Sequence, residues 1–498
     1  MRLHGAMVAE HAEVVIVGAG LSGVGAACRL RMSRPADSVV VLEARDAMGG
    51  TWDLFRYPGV RSDSDMYTLG YDFEPWTEAE AIADGPAILH YIRRTAATYG
   101  VDRLVRYRHR VARADWSSEQ ARWTLLVEAT DESGGVRDVA MTCRWLHVCT
   151  GYYRYDEGYT PDIAGLDDYE GVLVHPQHWP ADLDHTGRRV VVVGSGATAV
   201  TLVPAMATSA EHVTMLQRSA TYVVPRPSRD AAADVLRRVL PARAAHRVIR
   251  WKNALGALAV YELSQRRPDT MRRFFRAQQQ PFLADDVIDD HFTPSYGPWD
   301  QRVCLAPDGD LFVAVNQGRA SVVTGTIDTV TPRGVRLTSG QHLDADVLVL
   351  ATGLRLLAFG GIRIVVDGVE GEPGDAVVYK GMMAAEVPNM TFTTGYTNAS
   401  WTLKTDLVAG YLVRLLDHLD EHGLEAVVPV RPPAAQPLKP LIGLDSGYVR
   451  RSEADLPKQG SRAPWALHQN YPRDVWMLRY SPVADEGVRF LRAGGQVR

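Results

Sequence analysis

Cysteine is scarce in this chain of 498 residues. Only Cys28, Cys143, Cys149 and Cys304 occur, and no two stand at CxxC or CxxxxC spacing. A redox dithiol, a zinc site and a disulfide framework therefore lack support, which fits a reducing cytoplasm. Long apolar runs are missing too. A membrane span needs about 18 or more apolar residues in succession. The nearest candidate, residues 345–366, is broken by Gly353, Arg355, Gly360, Gly361 and Arg363. Residues 1–13 lack the apolar stretch of a secretory leader. Charge of one sign is also lacking: 54 basic against 59 acidic residues leave −5, no global attraction for nucleic acid. The expectation is a soluble, cytoplasmic protein. Its length exceeds what one core serves, so two or three domains are expected.

What is present is a repeated local grammar. An apolar run at residues 14–17 leads into Gly18-Ala19-Gly20-Leu21-Ser22-Gly23, then a helix-compatible stretch to Leu30 and a second run at Val39–Leu42 ending at Glu43. The same order returns at residues 190–193, with Gly194-Ser195-Gly196-Ala197-Thr198-Ala199 and a following run at residues 213–216. Residues 145–148 and 347–350 are further apolar runs, ending in Cys149-Thr150-Gly151 and Ala351-Thr352-Gly353. Strand–turn–helix units of this kind predict an α/β fold with two dinucleotide-binding, Rossmann-like domains. Between residues 231 and 280 the character changes to 11 Lys/Arg against 3 Asp/Glu, with apolar residues at helical spacing. This predicts a helical insertion. Its cationic face is either simply solvated or turned to a membrane surface or anionic partner, and the first is preferred.

In the first loop Gly18 makes the tight turn, Gly20 lets backbone amides approach a pyrophosphate and Gly23 lets the helix pack close. Ser22 sits in the first helical turn, where a dinucleotide's phosphates meet the positive end of the helix dipole. Glu43 is placed to accept hydrogen bonds from a ribose diol and repels a 2′-phosphate, so FAD or NAD suits this loop. The stretch Gly49-Gly50-Thr51-Trp52-Asp53-Leu54-Phe55-Arg56-Tyr57-Pro58-Gly59-Val60-Arg61-Ser62-Asp63 favours FAD, because paired glycines followed by aromatics suit a flat ring. Thr51, Trp52, Asp53, Leu54 and Asp63 are the contact candidates there, and Val111 is added to them. The second loop has Ala199 in the third glycine's place, and its second strand is followed by Arg218 and Ser219 instead of an acid. A guanidinium offers a fork to phosphate oxygens, so Gly194, Ser195, Gly196, Ala197, Thr198, Ala199, Arg218 and Ser219 form a candidate NADPH site.

Between the loops the chain reads Tyr169-Glu170-Gly171-Val172-Leu173-Val174-His175-Pro176-Gln177-His178-Trp179-Pro180. This resembles the linker of the Baeyer–Villiger monooxygenases, a family of class B flavin monooxygenases, in which FxGxxxHxxxW precedes Pro or Asp. Only Tyr169 departs, standing for Phe. Gly49 to Asp63 resembles the family's second signature, and the likeness extends over nearly the whole chain, including Trp299-Asp300-Gln301-Arg302 and Gly395-Tyr396-Thr397-Asn398-Ala399-Ser400-Trp401. The resemblance implies FAD and NADPH as cofactors, with one oxygen of O₂ inserted beside a ketone carbonyl through a C4a-peroxyflavin to give an ester or lactone. Sulfur oxidation is a possible side activity, and an N- or S-oxygenating flavin monooxygenase is the alternative. Asp63 and Arg302 match the family's active-site pair, which implies that Arg302 stabilises developing anionic charge while Asp63 holds it. Gln301 replaces a Lys that supports the 2′-phosphate in related enzymes, which shifts that task toward Arg218 and Ser219. Gly171, His175 and Trp179 are assigned to the linker, with His175 as a hydrogen-bonded hinge residue.

The expected division is FAD domain 1–150, linker 151–180, NADPH domain 181–230, helical insertion 231–292, NADPH domain again 293–350, and FAD domain with tail 351–498. The expected partners are a small-molecule ketone or sulfide and O₂. Nucleic acid is not among them, and membrane association is not predicted.

Overall fold

The computed structural model describes residues 10–492. Two sheets organise it. In the larger, nine-stranded sheet the strand Glu10–Val17 lies between Val39–Leu42 and Val136–Val148, parallel to both. Val14, Val15 and Ile16 are fully buried, as a parallel strand covered on both faces requires. The other half of this sheet is antiparallel: His109–Ser117, Arg122–Thr130 and Val136–Val148 form a meander. The chain returns to this sheet late, where Arg363–Val366 pairs with His109–Ser117 and Met390–Phe392 with Val136–Val148. The second sheet has five strands, all parallel, in the order Ala320–Thr324, His212–Gln217, Arg189–Val193, Val347–Leu350, Val172–Val174.

The chain passes between the sheets twice, and the two passages pair with each other, Tyr153–Gly158 antiparallel to Leu354–Leu356. Residues 231–292 hold four helices: Ala231–Val239, Ala242–Arg266, Pro268–Gln279 and Asp285–His291. The 25-residue helix Ala242–Arg266 is pinned to the first half of the molecule by Arg250. This buried guanidinium pairs with Asp406 at 2.6 Å and donates to the carbonyls of Tyr67 and Gly70. Asp406 lies on the long helix Trp401–His422, which packs beside the glycine-loop helix Leu21–Ser33. The segment after Tyr480 contributes the strand Val488–Leu491, paired with Ala426–Pro429. Alternation of buried Val488 and outward Arg489 in so short a segment is too weak a pattern to announce a strand. Among the described residues, no helix is long and apolar enough to cross a membrane.

Candidate functional site

The first glycine loop follows directly from its strand. Gly18 adopts φ +103°, and a Cβ there would lie 2.5 Å from the Cys149 carbonyl oxygen. At Gly23 a Cβ would lie 1.8 Å from the Gly18 carbonyl oxygen, so only glycine fits. Gly20 begins the 13-residue helix Leu21–Ser33, which has no side-chain cap and no acid in its first turn. Its amides are thus free for an anion. Glu43, buried at the strand end, accepts from the Ala19 amide at 2.7 Å and the Arg45 amide at 2.9 Å. Its carboxylate braces the loop, and its remaining lone pairs stay available for a diol. Burial raises its pKa.

Thr51 and Trp52 face the adjoining cleft. Asp53 does not: it is buried beneath Arg45 at 2.7 Å and Arg93 at 2.9 Å, which makes it a brace for the loop. Leu54 closes the same helical turn. Val111 lies inside the large sheet, packed in its core beside a register shift. Tyr-Pro-Gly has a different job from ring packing alone. A Cβ on Gly59 would lie 2.7 Å from Ala205 Cβ, so this turn docks the first domain onto the helix Ala197–Met206 of the second.

That helix starts from the second glycine loop. Gly194 has φ +134°, and its Cβ would lie 2.3 Å from the Ala351 carbonyl oxygen. A Cβ on Gly196, by contrast, would meet nothing within 4 Å. The helix again lacks a side-chain cap and a first-turn acid, so the loop offers an open cradle that suits a pyrophosphate. The Ser195 hydroxyl lies 2.6 Å from that of Thr221. Ala197 and Thr198 face the cleft, whereas Ala199 is fully buried against its own domain. Arg218 and Ser219 are exposed just past the strand His212–Gln217, and Arg218 has no ion-pair partner among the described residues. Gln217 turns inward, donating to the His291 carbonyl at 2.7 Å.

One cleft, about 260 Å³, joins the two loops. Asp63 and Arg302 both line it, with Arg302 Nη2 2.9 Å from Asp63 Oδ2. The neighbouring carboxylate raises the Arg302 pKa and fixes the guanidinium as a cation. Arg302 comes from the loop before the strand Cys304–Pro307 and Asp63 from the first domain, so 239 positions of sequence separate the pair (302 − 63).

The linker residues cluster at the passages between domains. His175 Nδ1 accepts from the Gln177 amide at 3.2 Å, so Nε2 carries the proton and donates to the Gly353 carbonyl at 3.3 Å. Burial lowers the His175 pKa and favours this neutral form. Gln177 donates to the carbonyls of Arg154 and Tyr155 at 2.8 and 3.0 Å. The segment is therefore tied to both passages at once. Trp179 packs on the second domain's core. At Gly171 a Cβ would lie 2.3 Å from the Tyr169 hydroxyl, which donates to the Ala345 carbonyl at 3.1 Å. The Tyr-for-Phe departure thus adds a hydrogen bond.

Comparison with known proteins matches residues 16–79 to a model of NAD(P)-binding Rossmann-like domains and residues 71–247 to one of flavin-binding monooxygenase-like proteins. The FAD-containing monooxygenase EthA of Mycobacterium tuberculosis is 52% identical over 97% of this chain and 98% of its own. The chain belongs to the FAD-containing monooxygenase family. The putative FAD-containing monooxygenase MymA of the same species is 46% identical, covering 98% of this chain and 99% of its own. Among solved structures, an oxidised steroid monooxygenase bound to NADP shares the fold with a TM-score of 0.72 and 24% identity, over 97% of this chain and 100% of that one.

In this monooxygenase the cleft also carries residues that motif reading passed over. Tyr152, Tyr153 and Tyr155, just after Gly151, line it together with Tyr396, Ser400 and Trp401 of the segment already singled out in the sequence. The signal was present: three tyrosines leave a buried strand just where the chain quits the first domain. Only the fold shows that this exit opens on the site.

Proposed function

We propose that this chain is an NADPH-dependent Baeyer–Villiger monooxygenase that converts a small ketone to an ester or lactone. The observation carrying this reading is the Arg302–Asp63 pair in a cleft shared by both glycine loops. We assign FAD to the loop at Gly18–Gly23 with Glu43, and NADPH to the loop at Gly194–Ala199 with Arg218 and Ser219. The corresponding division is FAD domain 1–150 and 351–498, linker 151–180, NADPH domain 181–230 and 293–350, and insertion 231–292. Bound FAD, reduced by NADPH and exposed to O₂, supplies the activated oxygen that is inserted beside the carbonyl. The protein's part is electrostatic. Arg302 presents a fixed cation to the charge that develops on the carbonyl oxygen, without reorganisation during the reaction. Asp63 keeps that cation in place. Trp52, Tyr152 and Trp401 line the cleft with aromatic surface.

The test is purification with bound yellow flavin, followed by NADPH consumption and product analysis with ketones and sulfides. Ester or lactone from a ketone is the expected product. Sulfoxides or N-oxides alone would instead assign an N- or S-oxygenating enzyme.

A further inference from the structure

The cleft holds a second donor group besides Arg302. Tyr152 and Tyr153 face it together, their hydroxyl oxygens 2.7 Å apart. We propose that they form a hydroxyl dyad in which Tyr152 donates a hydrogen bond to the substrate's carbonyl oxygen beside Arg302, while Tyr153 fixes the direction of that bond. This rests on the ketone-oxygenating reading above.

The Tyr152 ring cannot turn freely. It stacks on the Trp401 indole at 5.0 Å and 15°. Trp401 in turn donates from Nε1 to Ser22 Oγ at 3.1 Å, in the first turn of the glycine-loop helix. Gly395 also packs tightly on this indole, since a Cβ there would lie 2.3 Å from it. Tyr153 packs against the apolar cluster of Leu356, Leu444, Val449 and Leu456. Its hydroxyl has Tyr152 as its hydrogen-bond partner among the described residues.

A phenol has one proton to give and can accept in return. When Tyr152 donates to a substrate oxygen, Tyr153 donates to Tyr152, and both protons are used. The chain Tyr153 to Tyr152 to substrate oxygen then polarises in one direction and strengthens as negative charge grows on that oxygen. Burial raises both phenol pKa values, so each remains a donor through the neutral range. Arg302 supplies the charge, and Tyr152 supplies the second, directional bond that sets where the carbonyl sits.

The experiment uses the flavin-loaded full chain and compares ketones with sulfides, because a sulfide has no carbonyl oxygen to hold. Loss of a hydrogen bond to a charged oxygen corresponds to roughly 10- to 100-fold. Tyr152→Phe should therefore lower kcat/KM for ester formation by that factor and release more hydrogen peroxide per NADPH. Sulfide oxidation should stay within about twofold, since the lost bond has no counterpart there. Tyr153→Phe should show the same ketone-selective loss to a smaller degree. The double variant should be no worse than Tyr152→Phe alone, because Tyr153 acts only through Tyr152. Equal losses on ketones and sulfides, additive losses in the double variant, or unchanged ester formation in Tyr152→Phe would each overturn the dyad. Failure of the native enzyme to make ester from any ketone is a separate result, which removes the ketone reading and the dyad with it.

Discussion

Arg302 stands out in sequence only through the likeness of Trp299-Asp300-Gln301-Arg302, and its proposed role rests on Asp63 arriving across a domain boundary at 2.9 Å. Because the cation stands ready before any charge develops, its loss should fall on product formation and not on flavin binding. Arg302→Ala is expected to keep its flavin and consume NADPH while ester formation drops on the order of 10²–10³-fold and hydrogen peroxide appears instead. Stopped-flow flavin reduction beside product analysis checks this, and normal ester yield would refute the assignment. Arg218 is the opposite case: it is exposed and has no ion-pair partner among the described residues, so its guanidinium fork is free. Arg218→Ala should cut the preference for NADPH over NADH by roughly tenfold or more, measured as the ratio of kcat/KM values. An unchanged ratio would place 2′-phosphate recognition elsewhere.

At the scale of elements, the two glycine loops have unequal tolerances. Gly23 lies where any Cβ strikes the Gly18 carbonyl at 1.8 Å, so strand and helix can meet only through glycine. Gly23→Ala should lower stability on the order of 4 kcal/mol or more and abolish flavin retention. Gly196→Ala meets no atom within 4 Å. It should leave Tm unchanged and raise only the KM for NADPH, since the added methyl enters the space left for the ligand. Calorimetry and NADPH titration separate the two outcomes. Both loops were legible in sequence because strand, turn and helix are consecutive there, and each glycine's role is local. The insertion's helices were legible for the same reason. The Asp53 carboxylate shows what local pattern leaves out: Arg45 and Arg93 hold it, and the Arg93 partner is 40 residues away (93 − 53). Tyr152 and Tyr153 were silent because an exit from a strand acquires meaning only when a second domain closes over it.

For the molecule as a whole, the helical insertion and the first domain are joined through buried charge. Arg250 and Asp406 pair at 2.6 Å with both side chains 4% exposed, and Arg250 Nη1 donates to the carbonyls of Tyr67 and Gly70. Removing one member of a buried pair strands the other, so Asp406→Ala should cost about 3–5 kcal/mol. The same burial shapes the response to acid. His147, fully buried in the large sheet, and His246, on the insertion helix, are each lowered by burial to about 4. The unfolded chain binds protons at these sites near pH 6.5 and the folded chain does not. Between pH 6.5 and 4 the unfolded state therefore carries more protons, and stability falls as the pH drops through that window. Asp406 opposes this, since burial and Asp72 raise its pKa, and its added proton in the folded state offsets one histidine. Burial also lowers His175, His185, His291, His418 and His468, so the protons taken up on unfolding outnumber the one that Asp406 gains, and the net effect is a loss of stability toward acid. Thermal unfolding from pH 7 to 5 should show Tm declining, and His246→Met, which removes one of the two most strongly lowered rings, should make the decline shallower. A Tm that rises on acidification would mean that these histidines are protonated in the folded protein, and that the insertion helix carrying His246 is not sealed against the first domain.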